Sequence, residues 1–307
     1  MASVLSAKHY HNEDAAFAHV EAHVWPNGPI CPHCGGFERI SKMEGNATRK
    51  GLQKCYQCRK QFTVRMGTIF ESSHVPLHIW LQAMFFVAGS KKGVSSNQLH
   101  RTLGVTLKTA WFMSHRIREA MRDGEPLLMG GEGKVVEVDE TFIGRKQGAV
   151  VPRGGVRHKM KVLSLVERGT GKARSMVIDN LSGPEIIPLV CQNIARETHI
   201  MTDQAPLYKG LQHIFADHSV VNHYFEEWVR GQAYTNTIEG FFSIFKRGMR
   251  GVYQFCSEKH LHRYLAEFDF RYSNRAATGC NDTDRADRLL RGIVGKRLTY
   301  QTACARA

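Results

Sequence analysis

The sequence predicts a multi-domain α/β protein. Three observations carry that expectation: a length of 307 residues, a pair of cysteine doublets near the start, and a change partway along from helical to alternating apolar periodicity. That length exceeds the roughly 100 to 200 residues of a usual single domain. Hydrophobic residues make up 42% and charged residues 23%, so the chain can build a core and wholesale disorder is a poor reading. The longest apolar run, around Trp80 to Ala88, is far too short to span a bilayer. His9, His11, Glu13 and Asp14 stand where a secretory signal would place an apolar segment, so a cytoplasmic location is expected. Lysine and arginine total 42 against 28 acids, a net charge of +14, with a pI near 9.5. Such a balance points to a polyanionic partner, nucleic acid before membrane, because the basic residues form no polybasic tail.

The first module, expected over residues 1–72, combines an N-terminal helix with a zinc ribbon. Cys31-Pro-His-Cys34 and Cys55-Tyr-Gln-Cys58 are separated by twenty residues, the spacing of a four-cysteine zinc site. Two residues between paired cysteines let backbone N–H groups face the sulfurs, and four thiolates complete a tetrahedron around a d¹⁰ ion. His33 lies inside the first doublet and reads as a solvent-facing knuckle residue. Cys191, Cys256, Cys280 and Cys304 are isolated and read as thiols of a reducing compartment.

A helical pattern follows from Pro76, with Trp80, Met84 and Val87 on one face and a break at Gly89 to Gly93. Ser95 or Ser96 then caps a short helix through Leu99 and Leu103, Gly104 ends it, and Thr106 caps a longer one reaching Met121. Residues 73–124 thus read as a helix-turn-helix DNA-binding region. Thr106, Lys108 and Thr109 at the start of the second helix face base edges, while His115, Arg116 and Arg118 meet phosphates. A plain helical hairpin with a solvated basic face is the alternative.

Residues 125–276 change texture. Strands are expected at Lys134–Ile143, Lys159–Glu167 and Ala173–Asp179, then a helix over Pro184–Arg196, strands His199–Asp203 and Ser219–Tyr224, and two closing helices. Three antiparallel strands, a helix, two more strands and further helices are compatible with a ribonuclease H-like mixed sheet flanked by helices. Gly148 to His158 reads as a mobile basic loop, and residues 277–307 as a weakly defined tail. Asp139 falls near the end of one apolar strand, Asp203 at the end of another, and Glu239 early on a helix. That placement can gather three acids over one sheet edge, where hard cations such as Mg²⁺ or Mn²⁺ take carboxylate oxygens. Asp179 is a rival for the second position, but Asp203 stands 36 residues before Glu239, room for one strand and its connections. Glu140 points to the opposite sheet face, and Glu137 shares the face of Asp139 but lies further back. Asn236 to Glu239 also fits a capping box. Against that local explanation, Glu239, Ser243, Lys246 and Arg250 make one polar helical stripe opposite Ile238, Phe242, Phe245 and Met249, so that face can meet DNA.

The combination of CPHC, CYQC and RKQFTVRMGTIFESS with VDETFIG, MTDQA, VNH at Val221–His223, NTIEGFFSIFKRGMRGVY and KHLHRYLAEFDFRYSNR resembles the DDE transposases of bacterial insertion sequences. The closest likeness is to the branch with an N-terminal zinc ribbon and an Asn-x-x-Glu third motif, and it runs from about Cys31 to Arg275. The resemblance implies that Asp139, Asp203 and Glu239 bind the catalytic metal, with Asn236 assisting or sharing the third position, and that Lys246 contacts DNA near the cut. It also implies element ends and target DNA as partners, and a homo-oligomer that synapses two ends. Arg145 departs from the pattern, standing after Gly144 where many relatives have a second glycine. The competing expectations are a non-catalytic zinc-ribbon and helix-turn-helix regulator, and a nuclease acting on RNA or junctions.

Overall fold

In the computed structural model the chain is described over residues 3–124, 127–221 and 235–299. Two units emerge: one of residues 1–90, 94–122 and 281–307, the other of residues 91–93 and 123–280.

In the first unit, helix α1 (Glu13–Val24) precedes a three-stranded antiparallel ribbon of β1 (Ile40–Lys42), β2 (Gln53–Cys55) and β3 (Gln61–Phe62). So small a sheet has little core of its own; Phe62 is buried with Cys31 and Cys55, and Trp25 packs edge-on against it. Helix α2 (Leu77–Gly89) buries Trp80, Leu81, Met84 and Val87. Its N-cap residue, Pro76, offers no side-chain cap. The cap comes instead from α1: the Glu13 carboxylate accepts the Leu77 and His78 N–H groups at 2.9 and 3.2 Å and the Arg65 guanidinium at 3.0 Å. Helices α3 (Ser96–Leu103) and α4 (Leu107–Ala120) carry local caps: Ser95 accepts the Gln98 N–H and Thr106 the Thr109 N–H. Gly104 turns the chain between them at φ 65°, a left-handed conformation that suits a residue without a Cβ.

Two expectations need correction in this unit. Residues beyond Ala276 are more than a weakly defined tail, because α8 (Asp282–Arg291) is a helix with a complete Asn281–Asp284 capping box. Its Leu289 and Leu290 are buried, and it packs on α2 and α1. Arg116 and Arg118 are not placed for phosphates: they are 4% and 1% exposed. Arg116 spends its donors on three carbonyls, Ile69, Glu71 and Leu298, at 2.6 to 3.0 Å, and Arg118 donates to Ser114 Oγ at 3.1 Å. Both are buried with His115 on α4, and the Arg116 guanidinium there satisfies backbone oxygens, that of Ile69 among them buried. Lys108 and Thr106 are exposed and Thr109 half-buried at the start of α4.

The second unit is a five-stranded mixed sheet in the order β6-β5-β4-β7-β8. Strands β4 (Val135–Ile143), β5 (Met160–Glu167) and β6 (Ala173–Ile178) run antiparallel, and β7 (His199–Asp203) and β8 (Asp217–Val221) join β4 in parallel. The crossover to β7 runs through α5 (Gly183–Asn193). The expected last strand thus begins earlier, at Asp217, and residues 222–224 fall outside the described chain, as do Asn222 and His223 of the VNH motif. The period-2 alternation divides the core in two. Val136 and Val138 face α5 with Leu163, Leu165 and Tyr208, while Ile143, Met160 and Val162 face α6 (Asn236–Gly248) and α7 (Glu258–Ser273). Arg153 and Arg157 are exposed in the link from β4 to β5. No described helix is long and apolar enough to cross a membrane.

The Arg116 arrangement makes a direct prediction. Arg116→Ala takes the donor from three carbonyls, of which that of Ile69 is buried, and should lower the urea-unfolding free energy by about 1–3 kcal/mol, whereas Lys108→Ala on the same helix should stay within about 0.5 kcal/mol.

Candidate metal centres and the carboxylate site

In the ribbon the four sulfurs all lie within 4.8 Å of one another, with Cys31 to Cys58 at 3.6 Å and Cys34 to Cys55 at 3.7 Å. A zinc–sulfur distance of about 2.3 Å makes the edge of a regular tetrahedron about 3.8 Å, so the thiols already hold the shape that Zn²⁺ requires. Backbone N–H groups of Gly36, and of Gln57 and Cys58, point at Cys34 and Cys55, the knuckle geometry expected of Cys-x-x-Cys. His33 is exposed and takes no part in the cluster.

The second site is set by strand register. Parallel pairing of β4 with β7 matches Val135 to His199, Val136 to Ile200 and Glu137 to Met201. Two residues further, on the same face, Asp139 comes beside Asp203. Asp139 is the fifth of nine residues of β4, so it lies mid-strand rather than near a strand end, at the level where β7 stops. Carboxylate oxygens of Asp139, Glu140 and Asp203 lie within 4.8 Å of one another. Burial pushes the Asp139 carboxyl up to about 8, and the charges of Glu140, Asp203 and Glu239 push the same way against one hydrogen bond from the Glu140 N–H. Crowded, half-buried carboxylates of this kind are the oxygen donor set of a hard divalent cation, whose charge relieves the repulsion.

Glu140 was expected to point away, and its parity does so. Its Oε2 accepts the Tyr208 hydroxyl at 2.5 Å in the α5 layer. At the open end of the β4–β7 pair, however, its carboxylate also reaches the group formed by Asp139 and Asp203, so strand alternation alone did not remove it. Asp179 is exposed at the end of β6, two strands from β4, and is absent from the cluster.

Helix α6 brings the third expected acid. Asn236 is its first residue and Glu239 its fourth, both exposed, and the polar stripe continues through Ser243 to Lys246, whose ammonium stands 5.8 Å from the Phe242 ring centre. Arg250 follows, exposed, in a π-helical turn (Met249–Tyr253). Ile238, Phe242, Phe245 and Met249 are buried on the other face, with Phe241 beside them. Glu239 is outside the 4.8 Å group, although its charge is felt at Asp139. The capping-box alternative does not hold: the N-cap is Thr235 and makes no side-chain cap. The Ile238 N–H is taken by Glu137 Oε2 from β4 at 2.9 Å, while Glu137 Oε1 accepts the Arg168 guanidinium at 2.6 Å. Glu137 is fully buried, so this clasp fixes the start of α6 to the strand that carries Asp139. Sequence reading placed Glu137 on the right face but had no signal for its partner 101 residues away.

A sheet of three antiparallel and two parallel strands, covered by helices on both faces and carrying acids on adjacent central strands, defines a ribonuclease H-like domain, here in a chain that also carries a four-cysteine ribbon. Residues 129–273 match the ISXO2-like transposase domain and residues 11–61 the transposase zinc-ribbon domain. Together the two matches span well over half of the chain, and the chain belongs to these insertion-sequence DDE transposases. An uncharacterized protein in transposable element ISH50 of Halobacterium salinarum is 27% identical over 265 residues, covering 80% of this chain and 86% of that one. Among solved structures, a simian T-cell lymphotropic virus intasome in complex with PP2A regulatory subunit B56 gamma is similar at 14% identity and a TM-score of 0.31. The match covers 56% of this chain and 63% of that chain, just under two thirds of its length. The HTLV-2 integrase catalytic core domain in complex with magnesium is similar at 14% identity and a TM-score of 0.28, covering 46% and 86%.

Two measurements follow. Removing the buried carboxylate in Glu137→Ala takes one acceptor from Arg168 and the acceptor of the buried Ile238 N–H, and should cost about 3 kcal/mol of stability by denaturant titration. Because Asp139 titrates near 8 in the metal-free protein, it is largely protonated at neutral pH and a cation must displace that proton. Calorimetric Mn²⁺ affinity should therefore rise between pH 6 and about 8 and then level off, with proton release on binding shrinking over the same window.

Proposed function

We propose that this protein binds the ends of its insertion element and catalyses divalent-metal-dependent 3′ end cleavage and strand transfer into target DNA. The observation that carries this reading is the convergence of Asp139 and Asp203 on adjacent strands, with Glu239 on α6 near enough for its charge to be felt at Asp139. Asp139 and Asp203 offer the hard oxygens, Glu239 completes the set, and Asn236 one turn earlier assists or shares the third position. Divalent ions held there supply nucleophile activation and neutralise charge on the attacking and leaving oxygens of a phosphodiester. Lys246 and Arg250, on the exposed side of α6 and the turn after it, neutralise phosphates next to the scissile bond. One carboxylate set serves two successive displacements, first with water at the element end and then with the freed 3′ hydroxyl on target DNA.

Recognition falls to the other unit. The start of α4 presents Thr106, Lys108 and Thr109 to base edges in the manner of a recognition helix. Thr106 and Thr109 spend part of their hydrogen bonding on the cap, and Lys108 is exposed between them. The ribbon's four thiolates hold Zn²⁺ as a structural ion. A homo-oligomer that brings two ends together completes the reading.

The test is to incubate the protein with Mg²⁺ and DNA spanning the boundaries of its element, beside Asp203→Asn and Glu239→Gln, and to map the 3′ ends formed. Discrete cuts at element boundaries with the wild type, reduced at least about 10³-fold in either variant while end binding persists, are expected. Specific binding without cutting by the wild type would instead favour a regulator.

A further inference from the structure

Among the described residues, outside the ribbon and the carboxylate site, one further cluster has the chemistry of a metal centre. His19 and His23 stand one turn apart on α1, and Asp287 reaches them from α8. One ligand atom from each lies within 4.8 Å of the other two. Both imidazoles present Nε2 to the same oxygen, Asp287 Oδ1, at 3.8 Å from His19 and 3.5 Å from His23. These separations exceed the roughly 2.7–3.2 Å of a good N–H···O bond. The 3.5 Å separation of His23 matches the edge of about 3.3–3.5 Å that joins nitrogen and oxygen ligands about 2.0–2.1 Å from a shared tetrahedral cation, and that of His19 closes to it with a shift of a few tenths of an ångström.

The tautomer supports the same geometry. His23 Nδ1 is 2.8 Å from the His19 carbonyl oxygen, which can only accept, so Nδ1 carries the proton and Nε2 of the neutral ring turns its lone pair toward Asp287. A backbone carbonyl holding the far nitrogen is the usual support for a ligating histidine. His9 stacks on the His19 ring at 4.0 Å with planes 9° apart and fixes its orientation. Side-chain exposures of 18–31% leave the cluster open to solvent, with room for water to complete a coordination shell.

We propose that His19, His23 and Asp287 form a second zinc-class site, separate from the ribbon, that staples the C-terminal helix α8 to α1. Two histidines at i and i+4 on one helical face, with a carboxylate from a second element, suit Zn²⁺ or Co²⁺ rather than Mg²⁺. The site makes no demand on the transposition reading and stands or falls apart from it.

The experiment uses the full chain with its ribbon zinc retained and with Asp139→Asn and Asp203→Asn as the parent, so that the carboxylate site does not take up added metal. Dialysis against added Zn²⁺ followed by elemental analysis should find two equivalents in this parent. Asp287→Asn and His23→Ala added to it should keep the ribbon equivalent and weaken the second by more than about tenfold. A single equivalent in the parent, or a second one that neither substitution weakens, overturns the proposal. If a substitution also costs the ribbon zinc, the parent's Co²⁺ spectrum decides. Cobalt added beyond the ribbon equivalent should bring visible bands without thiolate charge transfer, and its failure to do so overturns the site.

Discussion

Parallel pairing of β4 with β7 is the constraint on which the carboxylate site depends. The two strands lie 64 residues apart in sequence, and the register that matches Glu137 to Met201 also brings Asp139 beside Asp203. A slip of one residue would send one carboxylate to the other layer of the core. Register is held by burial on both faces, since Val136, Val138, Ile200 and Met201 are all fully inside. β7 ends where the acids meet, so a hydrophobic sandwich delivers its charged groups to the one level at which solvent and a cation can reach them.

Buried charge in this protein serves mostly to join elements. Glu13 and Glu137 play the same part in the two units: each accepts backbone N–H at the start of a helix whose own N-cap residue supplies no side-chain cap, and each also holds an arginine. A carboxylate at a helix N-terminus is favoured by the unpaired N–H groups and the dipole there, and the arginine offsets the cost of burying it. Arg116 does the reverse, carrying donors to carbonyls left over by loops. The net charge of +14 therefore overstates what is available to a polyanion, because some of the basic residues are structural.

The N-terminal elements are small, and small elements need cross-links. The ribbon's two- and three-residue strands bury little, and its thiols stand at tetrahedral spacing. Helix α1 connects this region outward, through Glu13 to α2 and through His19 and His23 to α8. Helix α8 thus returns to α1 and α2, which is why residues 281–299 belong to the first unit rather than trailing from the second.

Features governed by neighbours in sequence were legible without a structure. Cys-x-x-Cys spacing, the Ser95 and Thr106 caps, the Gly104 turn, strand alternation and the polar stripe of α6 all act within a few residues, where covalent geometry limits the outcomes. Even Asp203 could be preferred over Asp179, because chain length restricts which strand can precede α6. Features governed by partners far along the chain were decided only by tertiary structure. Arg116 and Arg118 read as phosphate contacts, but both are buried, Arg116 on three carbonyls and Arg118 on Ser114 Oγ, and the capping box that Asn236 and Glu239 also fitted is not formed, because the N–H at Ile238 is held by Glu137. Alternation assigned Glu140 correctly to the α5 side, where it meets Tyr208, but could not show that its long side chain at the open end of the strand pair also lies close to Asp139 and Asp203. A hydrogen bond has the same chemistry whether its partner is three or 101 residues away, but only the short one leaves a pattern in the sequence.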